Sequence, residues 1–124
     1  MQELVVLVGH NSDFAGVYAP ALEHAGYRVV VSRYADAVVP MLEGDPPDVV
    51  VAEAPAVLPT GRTVAEALHR DPRTARVHVV SVTARVMDVE LQRERETGVT
   101  RVFAMPITPT ALVDEIAALL GADT

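Results

Sequence analysis

One carboxylate ends an apolar run in the middle of the sequence. The run 48–52, DVVVA, carries three consecutive valines, a pattern typical of a strand buried on both faces of a parallel sheet, and Glu53 follows it directly. Ligands of open α/β sheets bind at the carboxyl ends of the central strands. Glu53 is therefore a candidate site residue.

Two further residues with possible chemistry follow other apolar runs. His10 comes after the run 4–8 and Gly9, and Thr83 comes after the run 77–82. A histidine beside an acid could form an ion pair, act as a general base or bind a metal, because its pKa of about 6.5 shifts easily. One histidine and one glutamate are too few ligands for zinc, so a structural hydrogen bond is the preferred role of His10.

Motifs for catalysis or phosphate binding are missing. Thr83 would be a nucleophile only if a neighbouring base activated it, and no serine, histidine and acid arrangement is evident. The stretch VGHNSDFAG matches neither the P-loop nor the dinucleotide-binding pattern.

The composition excludes several classes of protein. The length of 124 residues predicts one domain, 1–124. The chain contains no cysteine, which excludes disulfides, thiolate catalysis and cysteine-based zinc sites. Seventeen acidic against ten basic residues give a net charge of -7, which argues against binding to nucleic acid. No apolar run approaches the roughly 20 residues that span a bilayer. We expect a cytoplasmic protein that binds no membrane.

Two hydrophobic periodicities alternate along the chain. Runs typical of strands lie at 4–8, 27–31, 48–52, 77–82 and 100–104. Helical spacing predicts helices at about 14–25, 34–43, 63–70, 86–97 and one capped by Thr108. Five such units predict an α/β fold of the flavodoxin-like class, a three-layer sandwich around a five-stranded parallel sheet of order 2-1-3-4-5.

Finer features of the helices are also predicted. Pro20 should kink the first helix or loosen its first turns, and Gly26 should end it. The first helix should bury an apolar stripe that includes Phe14 and Val17. The last helix should turn an inner face to the core, formed by Leu112, Val113, Ile116, Leu119 and Leu120.

Five segments resemble the receiver domain of two-component response regulators, the CheY-like family. They are VVLVGHNSDF, GYRVVVSRYADA, PDVVVAEAPAVLP, VHVVSVTA and VFAMPI, and the resemblance runs from about Leu4 to Leu120. It implies the CheY-like fold and a role in signal transduction.

The resemblance also assigns a family role to individual positions. In the family, strand one ends in an acid pair that holds magnesium, strand three in the phosphorylated aspartate, strand four in threonine or serine, and strand five in a lysine before proline. The matching residues here are Gly9 and His10, Glu53, Thr83 and Met105. The order of strands and helices resembles that of the family, whereas most of the residues that carry out the family's phosphoryl chemistry differ.

These replacements predict a degenerate phosphorylation site. Magnesium requires hard oxygen ligands, which Gly9 and His10 do not supply, and the chain contains no lysine to steady a phosphoryl group. We expect a pseudo-receiver that is not an enzyme and uses no cofactor or metal. Glu53 is then either a fixed mimic of the phosphorylated state or a solvated carboxylate, and the missing lysine favours the second interpretation.

The resemblance implies protein partners, such as a histidine kinase or an output domain. The expected switch and partner surface includes Arg85, Val102 and Phe103. A homodimer could form through the fourth predicted helix (86–97), the fifth strand (100–104) and the last helix, which Thr108 caps. A small-molecule-binding module or an enzyme using a crevice of His10, Glu53 and Thr83 remains the alternative. The chain could also be one domain of a longer regulator.

Overall fold

The computed structural model describes residues 3–9, 12–33, 46–53, 63–83, 101–104 and 107–121. Its strands are β1 (Leu4–Val8), β2 (Arg28–Ser32), β3 (Val49–Glu53), β4 (His78–Thr83) and β5 (Arg101–Ala104). Its helices are α1 (Ser12–His24), α2 (Val64–Arg70) and α3 (Pro109–Gly121). The helices predicted at 34–43 and 86–97 lie outside the described residues.

All five strands form one parallel sheet in the order β2-β1-β3-β4-β5, as predicted. Alternate strand residues face opposite sides of this sheet, as the two-residue period of a strand requires. On the side of α1 and α3 the core contains Val5, Leu7, Val49, Val51, Val80 and Val82. On the side of α2 it contains Val6, Val8, Val50, Ala52 and Val79. Burial on both faces explains the valine runs of the central strands β1, β3 and β4, whereas in the edge strand β2 Val30 and Val31 are exposed.

Helix α1 ends where the sequence predicted. Gly26 has a φ of 101°, in the left-handed region that favours glycine. The amide of Gly26 donates to the carbonyl of Glu23, and the amide of Tyr27 donates to the carbonyl of Leu22. These two bonds form a Schellman motif, which satisfies carbonyls at the end of the helix.

The predicted stripe of α1 needs one correction. Phe14, Tyr18 and Leu22 are buried, but Val17 is 47% exposed, because it lies beside the buried face rather than on it. The helix continues through Pro20, which is exposed.

Helix α3 begins after its predicted cap, Thr108, and helix α2 begins at Val64, within one residue of the predicted start at about 63. Thr63 and Glu66 form a reciprocal capping box at the start of α2, with both bonds 3.2 Å long. The amide of Ala111 donates to the hydroxyl of Thr108 at 3.1 Å. Of the predicted inner face of α3, the buried members are Leu112, Ile116 and Leu119, and the half-buried members are Val113 and Leu120. Across the described helices, none is long and apolar enough to cross a membrane.

Candidate functional site

The strand order brings three predicted site positions to one edge of the sheet. Strands β1, β3 and β4 are adjacent, and each pair is parallel, so their carboxyl ends lie side by side. Gly9 follows β1, Glu53 ends β3, and Thr83 ends β4 one residue beyond the position paired with Glu53. The placement expected from the sequence is therefore found for these residues.

Other predicted site residues fall outside the described part of the chain. This applies to His10, Met105 and Arg85, so their roles stay predictions. Val102 and Phe103 are described, and both are half-buried on β5. Phe103 packs against the core on the side of α1 and α3, which makes it partly a core residue.

Gly9 lies between an aromatic ring and the carboxylate-bearing strand. A Cβ atom at position 9 would stand 2.7 Å from Cδ1 and 3.2 Å from Cγ of Phe14. The same atom would stand 3.3 Å from Cβ of Glu53. Contacts under 3.0 Å are sterically forbidden, so any side chain at position 9 requires Phe14 to move.

Phe14 is itself fixed by its neighbours on α1. It is 4% exposed, and its ring meets that of Tyr18 edge to face, with centroids 5.3 Å apart and an interplanar angle of 68°. The hydroxyl of Tyr18 donates to the carbonyl of Ile107 at 2.7 Å. Burial raises the pKa of Tyr18 above its usual value of 10.0, against a smaller lowering by this hydrogen bond. The hydroxyl therefore remains a donor at neutral pH.

The described residues at this edge do not fit a magnesium site. Magnesium binds through carboxylates and keeps several waters in an octahedral shell. Glu53 offers one carboxylate, Gly9 offers none, and the ring of Phe14 occupies the space beside Gly9. Within the described residues no group of three or more histidine, aspartate or glutamate side chains could hold a metal ion.

Phe14 and Tyr18 belong to this edge, although the sequence alone assigned them only to a helix face. A glycine at a strand end, followed five residues later by an aromatic residue on the inner face of the next helix, was the available signal. This spacing can be interpreted only when the position of the helix against the strand end is known.

Sequence comparison identifies no relative: no protein-family model matches the chain, and no curated protein matches it. Comparison with solved structures does find similar folds. A response regulator from Desulfuromonas acetoxidans has a TM-score of 0.85 and 21% identity, over 97% of this chain and 98% of that one. A CheY-like receiver domain protein from Methanospirillum hungatei has a TM-score of 0.84 and 16% identity, over 98% and 96%.

A third similar structure is the receiver domain of a signal transduction histidine kinase from Syntrophus aciditrophicus. Its TM-score is 0.81 and its identity 20%, over 97% of this chain and 91% of that one. Identities this low show the fold alone, and each of the three similarities covers more than nine tenths of both chains. The chain has the flavodoxin-like CheY fold.

Proposed function

We propose that this chain is a receiver-like signalling module that acts through protein contacts and without phosphorylation of its own. The fold supports the signalling role, because the similar structures are response regulators and receiver domains. The crevice residues support the second half of the proposal. The observation that carries the absence of phosphorylation is the packing of the Phe14 ring against Gly9, beside Glu53.

Phosphoryl transfer is almost entirely a matter of positioning and charge neutralisation. Glu53 supplies a carboxylate at the end of β3, whereas Gly9 supplies no side-chain oxygen at the end of β1. No lysine exists anywhere in the 124 residues to neutralise the transferred group. Without a metal and a cation, the step loses most of what makes it fast.

The role of Glu53 follows from the same geometry. It is half-buried at the end of β3, and its Cβ faces the position of Gly9 at close range. We infer that it is a structural carboxylate of the edge rather than an acceptor. A glutamate acceptor would carry its phosphoryl group one methylene further from the strand than an aspartate.

The partner class is a protein, such as a histidine kinase or an output domain. A similar structure is the receiver domain of a histidine kinase, so this fold occurs in that setting. The surface of β5 and α3 is the proposed contact face. It contains the exposed residues Thr110, Asp114, Ala117 and Ala118, whose short side chains allow close approach.

The test is the intact mass of the protein after incubation with acetyl phosphate and Mg²⁺. We expect no phosphoryl adduct on the wild-type chain, and none on the Glu53→Asp variant, because restoring the shorter acid does not restore the metal site. A matched receiver domain with an intact acid pair serves as the positive control. An adduct on the wild-type protein would refute the proposal.

A further inference from the structure

We propose that Phe14 determines what the crevice at the carboxyl ends of β1 and β3 can bind, by keeping a divalent cation out of it. The proposal rests on the function proposed above and adds the ring of Phe14 to the missing ligands as a second obstacle to metal binding. Replacing Gly9 and Glu53 by aspartates should therefore not be enough to create a cation site.

The first argument is the position of the ring atoms. Both Cδ1 and Cγ of Phe14 stand within 3.2 Å of where a Cβ at position 9 would lie. Cγ lies on the axis about which the ring flips, so a flip leaves this contact unchanged. A carboxylate at position 9 needs the whole ring to be displaced.

The second argument is that the described neighbours of the ring confine it. It is 4% exposed and belongs to the core between the sheet and α1 and α3. Tyr18 packs edge to face on it and is tied by its hydroxyl to the carbonyl of Ile107. Displacing Phe14 would thus disturb α1, the sheet and the segment that leads into α3.

The third argument concerns the chemistry of the space itself. A divalent cation with oxygen ligands keeps part of its water shell when it is bound by one or two carboxylates. The ring presents carbon atoms to the space shared by Gly9 and Glu53, where such waters would have to lie. An apolar group at this place excludes the waters as well as the ligand side chain.

The experiment measures Mn²⁺ binding from the electron paramagnetic resonance signal of the free ion. The Gly9→Asp/Glu53→Asp variant is compared with the same variant carrying Phe14→Ala. We expect the variant that keeps the ring to bind Mn²⁺ no better than the wild-type chain. Removing the ring should tighten binding by at least about tenfold.

Two matched controls separate the ring from general loosening of the core. Phe14→Ala alone opens the space but leaves position 9 without a carboxylate, and it should not gain affinity. Leu68→Ala in the Gly9→Asp/Glu53→Asp background removes a fully buried side chain on the opposite face of the sheet, and it should not gain affinity either. Circular dichroism establishes that each variant is folded. Phe14→Val, which keeps more core volume, replaces Phe14→Ala where the latter does not fold.

Two results would overturn the role of Phe14. One is equal Mn²⁺ affinity in the folded aspartate variants with and without the ring, and the other is Mn²⁺ binding by the aspartate variant that keeps the ring. The proposed function is refuted by a different result, which is a phosphoryl adduct on the wild-type chain. Mn²⁺ binding by the aspartate variant that keeps Phe14 refutes only the inference about the ring.

Discussion

The two edges of the sheet are held together by different forces. At the amino-terminal edge, polar side chains bind backbone groups: the Asp48 carboxylate accepts from the amide of Leu4 at 2.7 Å, and the Thr74 hydroxyl donates to the carbonyl of Leu68. At the carboxyl-terminal edge, Phe14 packs on Gly9 and Tyr18 packs on Phe14.

This arrangement is the reverse of the usual one in open α/β sheets. Ligands bind at the carboxyl edge, where loops leave a polar crevice, while the amino edge only stabilises the fold. Here the space beside Gly9, at the carboxyl end of β1, is occupied by the ring of Phe14, which a ligand at that place would have to displace. Apolar contacts at this edge have the energetic role of a core, so substitutions there should affect stability more than substitutions at the amino edge.

Removing the ring of Phe14 should have the largest effect on stability. We expect Phe14→Ala to lower the free energy of unfolding by about 3–5 kcal/mol, because a buried aromatic side chain leaves a cavity that relaxes only partly. Urea denaturation measures this loss. Asp48→Ala is the comparison at the other edge, and it should cost only about 0.5–1.5 kcal/mol, since one exposed hydrogen bond is lost.

Equal losses for Phe14→Ala and Asp48→Ala would contradict the distinction between the two edges. Phe14→Leu provides a milder control, because it keeps much of the apolar volume. Its loss should fall between those of the other two variants.

The described part of the amino edge has one buried polar side chain, and its removal should cost less than that of Phe14 but more than that of Asp48. Thr74 is 1% exposed, and its hydroxyl donates to the carbonyl of Leu68. Thr74→Val keeps the shape but leaves that carbonyl without this donor, so we expect a loss of about 1–3 kcal/mol. Thr74→Ser keeps the hydroxyl and is the matched control in the same denaturation experiment. A loss for Thr74→Ser as large as that for Thr74→Val would mean that packing, rather than the hydrogen bond, matters.

Most of the scaffold could be predicted from the sequence. Apolar runs predicted all five strands within one residue at each end, and Gly26 and Thr108 marked helix ends through local capping chemistry. Strand order followed from right-handed crossovers, which leave few topologies. These features depend on near neighbours in the chain or on rules shared by all parallel sheets.

The contents of the crevice were less predictable. The sequence placed Gly9, Glu53 and Thr83 at one edge, because each follows a strand. It did not reveal that Phe14 fills the space beside Gly9, since this depends on how far α1 is rotated and translated against β1. The same rotation exposes Val17, which periodicity alone had assigned to the buried stripe.

Tyr18 offers a smaller test of the aromatic edge, in which the ring stays and only the hydroxyl is removed. Tyr18→Phe loses the bond to the carbonyl of Ile107 and should cost about 0.5–1.5 kcal/mol. The contact with Phe14 should remain, so Mn²⁺ exclusion should be unchanged. A loss comparable to that of Phe14→Ala would contradict the view that ring packing dominates this edge.

Tyr18 should also make the stability of the fold depend on pH in the alkaline range. Burial raises the pKa of Tyr18 above 10.0 in the folded chain, so the unfolded chain releases this proton first. Its contribution to stability is complete below the unfolded pKa and is lost as the pH rises towards and through the folded pKa. Burial and the charge of Glu3 raise the pKa of Tyr27 as well, so Tyr18→Phe should remove part of the alkaline loss and leave the part due to Tyr27.

The smallest effect is expected at the amino edge, in the connection between α2 and β4. Hydrogen bonds from the side chain and the amide of Arg73 lower the pKa of Asp71 below 3.8, and the guanidinium lies 2.9 Å from the carboxylate. The contribution of this pair to stability is present above the unfolded pKa and is lost as the pH falls through the folded pKa. Because the pair is solvent-exposed, the change should be visible in the titration of Asp71 rather than in the stability of the fold.

Arg73→Gln should therefore raise the pKa of Asp71 towards its usual value, as followed by the carboxyl carbon shift in nuclear magnetic resonance. Arg76→Gln removes another exposed arginine of the same connection and is the control. An equal rise in both variants would mean that overall positive charge, rather than the contact with Arg73, sets the pKa. A rise confined to Arg73→Gln would show that the amino edge depends on individual polar contacts, each of which can be removed without disturbing the sheet.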